Sequence, residues 1–124
     1  MPVAYWCILV AALLPLVLAG YSKSGSRDNN TPRDSAEKLS GPKRRAYAAH
    51  QNAYENFAFF AVAVIAALNF GATTSTVNLL ALLYIAFRIA HALLYIADKA
   101  SLRSAAYGLA LIANIAIFVL PAFK

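Results

Sequence analysis

The chain has 124 residues, of which 61% are hydrophobic and only 13% are charged. This composition excludes an ordinary soluble domain of the same size. The net charge of +6 is concentrated in two connections between apolar segments, so we expect it to reflect membrane topology and contact with anionic lipid headgroups. We expect no nucleic-acid partner.

Four apolar segments have the length of a membrane span, since about 20 residues cross a hydrocarbon core. The predicted helices cover residues 3–21, 47–68, 77–97 and 104–123. The first lacks the basic n-region of a signal peptide, so we expect a retained span. The polar stretch 22–45 is predicted to be a cytoplasmic loop, and the two later connections are short enough for helix hairpins. The sequence therefore predicts one all-α integral membrane domain, a four-helix bundle over residues 1–124.

The charge distribution predicts an orientation for this bundle. In a four-span protein the first and third connections lie on the same side of the membrane. They hold nine basic residues: Lys23, Arg27, Arg33, Lys38, Lys43, Arg44, Arg45, Lys99 and Arg103. The opposite side has Lys124 alone, and the connection 69–76 is uncharged. By the positive-inside rule both termini are predicted to lie outside the cytoplasm.

Two polar faces cross the predicted spans. Glu55, between Asn52 and Asn56, is an acidic residue in the second span, where a carboxylate needs a partner or a function. Arg88 in the third span is a candidate partner. On helical geometry, residues of the second span share an arc of about 100°: Arg45, Asn52, Glu55, Asn56 and Phe59. A similar arc of the third span holds Tyr84, Arg88, His91, Tyr95, Asp98 and Lys99.

These faces predict a polar pocket between helices, open toward the cytoplasmic side. The alternative is that the same side chains only join helices through hydrogen bonds. His50 and His91 lie on different helices without the spacing of a metal motif, so no metal site is predicted.

The segment Arg45–Phe57, which reads RAYAAHQNAYENF, resembles the MAPEG family, the membrane-associated proteins in eicosanoid and glutathione metabolism. That family includes microsomal glutathione transferases and leukotriene C4 synthase. The resemblance extends to Asp28–Arg33 before this segment and to the pattern Arg88-x-x-His91-x-x-x-Tyr95 after it. It covers nearly the whole chain and is strongest to short bacterial members, which implies the bacterial inner membrane.

The resemblance implies a homotrimer with glutathione bound between neighbouring subunits near the cytoplasmic face, and a lipophilic second substrate that arrives from the bilayer. Asn52 and Glu55 would hold the glutathione backbone, with Glu55 at the α-amino group. Arg88 and Tyr95 of the adjoining subunit would meet its carboxylates and backbone. The implied glutathione-binding residues are Arg45, His50, Asn52, Glu55, Asn56, Arg88, His91 and Tyr95, and the implied catalytic residues are Arg103 and Arg88.

The chain departs from the family at two positions. Ala48 stands where well-characterised members have an arginine, and His91 stands where leukotriene C4 synthase has a tyrosine. The implied chemistry is stabilisation of the glutathione thiolate, the nucleophilic form, by guanidinium groups. An arginine cannot be the base, because it stays protonated. The predicted activity is a membrane glutathione transferase or peroxidase that acts on lipophilic substrates.

Two other functions fit parts of the sequence. A non-catalytic, lipid-binding member of the same family would keep the fold without activating a thiol, and Ala48 is compatible with that. A small four-helix multidrug transporter would need its membrane carboxylate in the first helix, which has none, and would avoid a fixed charge such as Arg88.

Overall fold

A computed structural model describes residues 1–23 and 38–123 of the chain. The stretch 28–33, which is part of the resemblance, and the basic residue Arg27 lie outside the described residues. The described part is helical throughout, with short connections. The helices are α1 (Val3–Lys23), α2 (Gly41–Asn69), α3 (Thr74–Ile96) and α4 (Ala100–Val119), and a 3-10 turn covers Leu120–Phe123.

Three of the four helices are long and apolar enough to cross a membrane. They are the spans Val3–Lys23, Thr74–Ile96 and Ala100–Phe123. Helix α2 has 29 residues, which is ample length, but it is less apolar than the others. The prediction of an all-α membrane bundle with four helices is thus confirmed for the described part of the chain, and the protein is an integral membrane protein.

Three helices begin earlier than predicted, and α3 does so at Thr74 instead of residue 77. Helix α2 begins at Gly41, so Lys43, Arg44 and Arg45 lie in its first turns and not in the preceding loop. Helix α4 begins at Ala100, so Arg103 belongs to its first turn. For α2 and α4 the prediction began the helix only after the nearest basic residue. Lysine and arginine, however, are good helix formers, and their aliphatic stems can lie along an apolar surface while the charged group reaches water.

Helix α1 packs mainly on α2, and α3 packs mainly on α4. Contacts of α3 with α1 and α2, and of α2 with α4, join the two pairs. Most buried apolar positions are alanines, which allow helix backbones to approach closely. The larger side chains of the main core are Phe60, Val64, Val77, Tyr84 and Ile117. Large apolar side chains such as Leu16, Val62 and Ile112 are exposed, as expected for a surface that faces lipid.

Charged side chains are concentrated at one end of the bundle, which we call the basic end. Apart from Glu55 and Arg88, every charged side chain in the described residues lies there: Lys23, Lys38, Lys43, Arg44, Arg45, Asp98, Lys99 and Arg103. The contacts between elements establish that these helix ends meet. Lys43 Nζ lies 3.6 Å from the centroid of the Tyr21 ring, and Arg45 Nε donates to the Ile96 carbonyl at 3.0 Å.

A polar contact also joins helices at the opposite end. The backbone N–H of Ala4 donates to Asn78 Oδ1 at 2.9 Å. The first N–H groups of a helix have no acceptor within the helix, so Asn78 on α3 satisfies one of them for α1. The bundle is therefore held by specific polar contacts at both ends, with small-residue packing between them.

Candidate functional site

Asn52 forms hydrogen bonds with two other polar side chains inside the bundle, Arg88 and Asn56. Arg88 Nη2 on α3 donates to Asn52 Oδ1 on α2 at 2.7 Å. Asn56 Nδ2 donates to the Asn52 carbonyl at 2.8 Å, and its contact with Asn52 Oδ1 is 3.4 Å. Arg88 is only 3% exposed. A hydrogen bond from a charged donor is short and strong, so this contact sets the position of the guanidinium group.

A cleft of about 290 Å³, which we call the inner cleft, opens beside this contact. Its lining residues come from α2, α3 and α4 and are Asn52, His91, Tyr95, Arg103, Ser104 and Tyr107. Arg103 Cζ lies 4.3 Å from the centroid of the Tyr95 ring, within cation–π range. Arg88 Cζ lies 6.0 Å from the Tyr107 ring. Two guanidinium groups therefore flank a polar cleft near the basic end, an arrangement that favours an anionic ligand.

His91 is the least satisfied side chain of the inner cleft. It is 3% exposed, and its ring packs edge-on against Tyr95 at 5.6 Å between centroids and tilted against Tyr107 at 6.0 Å. Nδ1 is buried and has no hydrogen-bond partner. Buried polar atoms are nearly always paired, so an unpaired ring nitrogen beside a cleft is unusual.

A second cleft of about 390 Å³, the outer cleft, lies on another face of α2. It is lined by Tyr47, His50, Gln51, Tyr54 and Glu55, which follow one stripe of the helix. His50 Nδ1 lies 2.8 Å from the Pro15 carbonyl. A carbonyl only accepts, so Nδ1 of His50 is the donor and α1 fixes the ring orientation.

The structure separates residues that the sequence analysis treated as one face. Glu55 is exposed on the outer cleft and, within residues 1–23 and 38–123, it makes no ion pair with Arg88. Arg88 is bonded to Asn52 instead. The candidate pairing of Glu55 with Arg88 is therefore not formed in the single chain. The reason is rotational: Asn52 and Asn56 point toward α3, while Glu55 lies at the edge of the arc that turns away from it.

The other predicted site residues fall into two groups. The inner cleft brings together Asn52, His91, Tyr95 and Arg103, with Arg88 and Asn56 bonded to Asn52. His50 lies with Glu55 on the outer cleft. Arg45 is at the basic end with its Nε bonded to the last carbonyl of α3. Tyr84, which shares the predicted polar arc, stacks on Phe60 at 4.0 Å and 9°, a packing role.

Sequence reasoning missed several lining residues. Ser104 and Tyr107 belong to the inner cleft, and their signal was their spacing of one and four residues from Arg103 on the same helix. Tyr47, Gln51 and Tyr54 belong to the outer cleft. Their spacing of four and three residues marks a helical stripe with His50 and Glu55. In the part of the chain that the structure describes, no group of three histidine, cysteine or acidic residues could hold a metal ion.

Comparison with known proteins gives one result for the whole chain. A protein-family model described as the MAPEG family matches residues 3–123. No curated protein and no solved structure gave a significant match. The family match includes all four helices and both clefts, and it agrees with the resemblance seen in Arg45–Phe57. The chain belongs to the MAPEG family of membrane proteins.

Proposed function

We propose that this chain is a glutathione-binding membrane enzyme, a transferase or peroxidase for lipophilic substrates, with the inner cleft as part of its glutathione site. The observation that carries the proposal is the Arg88–Asn52 hydrogen bond of 2.7 Å beside a cleft that also contains Arg103 and Tyr95. These groups match the chemistry of a small peptide with two carboxylates, amide groups and a thiol.

Each polar group has a role that this ligand can use. The planar guanidinium groups of Arg88 and Arg103 suit carboxylates, which they can hold through two parallel hydrogen bonds. The oxygen of the Asn52 side chain already accepts from Arg88 and Asn56, so its amide nitrogen remains to donate to a ligand carbonyl. The same two cations favour the thiolate over the thiol, because the thiolate is the charged form.

We propose further that the working unit is a homotrimer and that a neighbouring copy completes the site. Asn52 and Glu55 are three residues apart on α2 but line different clefts. A ligand between two copies can contact the Glu55 face of one and the inner cleft of the other. Gln51 and Glu55 are exposed on a helix within the bundle, and a charged side chain that faces lipid is costly. A second copy over the outer cleft would remove that cost.

The oligomer can be tested in mild detergent by native mass spectrometry or crosslinking. We expect a closed three-subunit species. A strictly monomeric protein that still binds glutathione would contradict a site shared between copies. We place this assembly in a bacterial inner membrane with the basic end in the cytoplasm, in line with the positive-inside rule.

The activity is tested by isothermal titration of the purified protein with glutathione, followed by ultraviolet absorbance of the bound thiolate. Binding together with a thiolate signal supports the enzyme. Binding without a thiolate would favour the alternative of a non-catalytic, lipid-binding family member. A protein that shows no heat of binding over the millimolar range would overturn the glutathione proposal.

A further inference from the structure

The contacts proposed above between the arginines and glutathione give His91 no role. The imidazole is 3% exposed, lies in the wall of the inner cleft, and makes no hydrogen bond with any residue the structure describes. Because Nδ1 is covered, Nε2 is the ring nitrogen available to a molecule in the cleft. A polar ring held in this state is suited to a partner that arrives with the ligand.

The surroundings of His91 in the inner cleft contain no acidic side chain. Its own helix contributes Tyr95, and Arg88 lies one turn earlier. Helix α4 contributes Arg103, Ser104 and Tyr107, and α2 contributes Asn52. None of these side chains is acidic, and the carboxylate of Glu55 lines the other cleft. An anion that pairs with a protonated ring at this place would therefore have to come from the ligand.

We propose that His91 is the base that accepts the thiol proton of bound glutathione, an assignment that rests on the proposed function. In the neutral ring the hydrogen is on Nδ1. In the proposed step the S–H bond breaks, the proton moves to the free electron pair of Nε2 of His91, and the electron pair of the S–H bond stays on sulfur. The products are a thiolate and an imidazolium, which form an ion pair between Arg88 and Arg103. The arginines then stabilise the thiolate, while the histidine accounts for its proton.

No other side chain of the inner cleft can take this role as readily. Arginine stays protonated, and the amide of Asn52 is not a base. Tyr95, Tyr107 and Ser104 offer hydroxyl groups, which donate hydrogen bonds and are poor proton acceptors. Of the groups that line this cleft, the neutral imidazole is the one most often used as a general base.

Proton counting tests the proposal on the unmodified protein. Glutathione is titrated near pH 7 in buffers of different ionisation enthalpy, which gives the number of protons released, and the thiolate is measured by absorbance. We expect thiolate to form with far less than one proton released per thiolate, because the proton stays on His91. Release of one proton for each thiolate would overturn the role of His91. Binding with no thiolate, or an absence of binding, would instead overturn the proposed function, so the two failures are distinguishable.

His91→Gln tests the residue directly, since glutamine keeps a polar side chain but cannot accept the proton. We expect the variant to bind S-methylglutathione, which has no thiol proton, as the parent does, and to lose roughly 10²- to 10⁴-fold in rate with glutathione and 1-chloro-2,4-dinitrobenzene. Tyr84→Phe is the control, a buried polar change on the same helix outside the cleft, and should alter neither. Equal loss for both ligands would show a structural role, and an unchanged rate would exclude a base. If His91→Gln does not fold, the proton count of the parent still decides.

Discussion

At the scale of single residues, Asn52 connects the structure of the bundle to its chemistry. Its side-chain oxygen receives the Arg88 guanidinium at 2.7 Å, and this fixes Arg88 beside the inner cleft. Without that acceptor a nearly buried cation would lack its hydrogen bond inside an apolar helix bundle, which is costly. The pair is thus both a structural contact and a means of holding a charge where a ligand can meet it.

Glu55→Gln tests the proposed contact of the carboxylate with the ligand ammonium. Glutamine keeps the shape and removes the charge. We expect a loss of about 1.5–3 kcal/mol in glutathione binding, roughly ten- to a hundredfold in affinity, from a charge-assisted hydrogen bond. Asp98→Asn is the matched control, because it removes the same charge near the basic end, and asparagine tolerates the positive φ of 63° found there. Titration calorimetry of both variants decides, and equal affinities would remove Glu55 from the site.

Arg88→Lys separates binding from folding. Lysine keeps the charge but loses the planar fork, so we expect weaker glutathione binding. We also expect a lower thermal unfolding midpoint, because the Asn52 contact is disturbed. Arg44→Lys is the control at an arginine outside both clefts and should leave the affinity unchanged. If Arg88→Lys lowers only the unfolding midpoint and the folded fraction binds as before, the arginine has a structural role alone.

Much of the inner cleft could be predicted from residue positions. Helical spacing placed Asn52 on one face and Arg88, His91 and Tyr95 on another, and the structure brings these two faces together. The position of Glu55 could not be predicted in the same way. A single sequence gives the angular width of a polar face, but the rotation of α2 against α3 decides which edge of that face is buried.

At the scale of helices, α1 depends on α3 for the start of its hydrogen bonding. The N–H of Ala4 is satisfied by Asn78 across 74 positions of sequence. Water is scarce at a helix end close to the hydrocarbon, so a missing acceptor is replaced less easily than in a soluble protein. Propensity and hydropathy contain no information on such a contact, because the acceptor belongs to another helix.

Asn78→Ala tests this contact between the helices. Loss of a side-chain acceptor at a helix start should cost about 1 kcal/mol, in the range of 0.5–2 kcal/mol found for capping residues. We expect a lower thermal unfolding midpoint with unchanged glutathione affinity, since Asn78 lies far along α3 from Arg88. Asn69→Ala, an exposed asparagine at the same end of the bundle, should change stability little. Identical midpoints for the two variants would contradict the role of Asn78.

The number and order of the helices followed from hydropathy, as did the start of α1 at Val3, while the starts of the later helices did not. The prediction ended the first loop at 45 and began the last helix at 104, but the structure extends α2 to Gly41 and α4 to Ala100. Both extensions consist largely of basic and small residues that favour helix once a neighbouring helix supports them. Arg45 shows the support directly, through its bond to the Ile96 carbonyl, where a cation also meets the negative end of the α3 dipole.

At the scale of the whole molecule, the charged side chains of residues 1–23 and 38–123 lie at the basic end, with the exceptions of Glu55 and Arg88. The topology prediction can be tested with single cysteines in a Cys7→Ala background. Thr73 and Ala97 are exposed and lie in connections at opposite ends of the bundle, so each is replaced by cysteine in turn. We expect an impermeant thiol reagent to label Thr73→Cys from outside intact cells and Ala97→Cys only after lysis. Labelling of both from one side would refute the orientation.

The uncharged turn between α2 and α3 has a consequence for how the chain enters its membrane. Residues 70–73, Phe-Gly-Ala-Thr, contain no ionisable side chain. A charged side chain at the centre of a bilayer costs about 2.5–3.5 kcal/mol on insertion scales. Because the turn has no charged side chain, its transfer across the bilayer does not include this free-energy cost. We therefore expect α2 and α3 to enter the membrane together as a hairpin with an uncharged turn, while the cations at the basic end stay with the lipid headgroups.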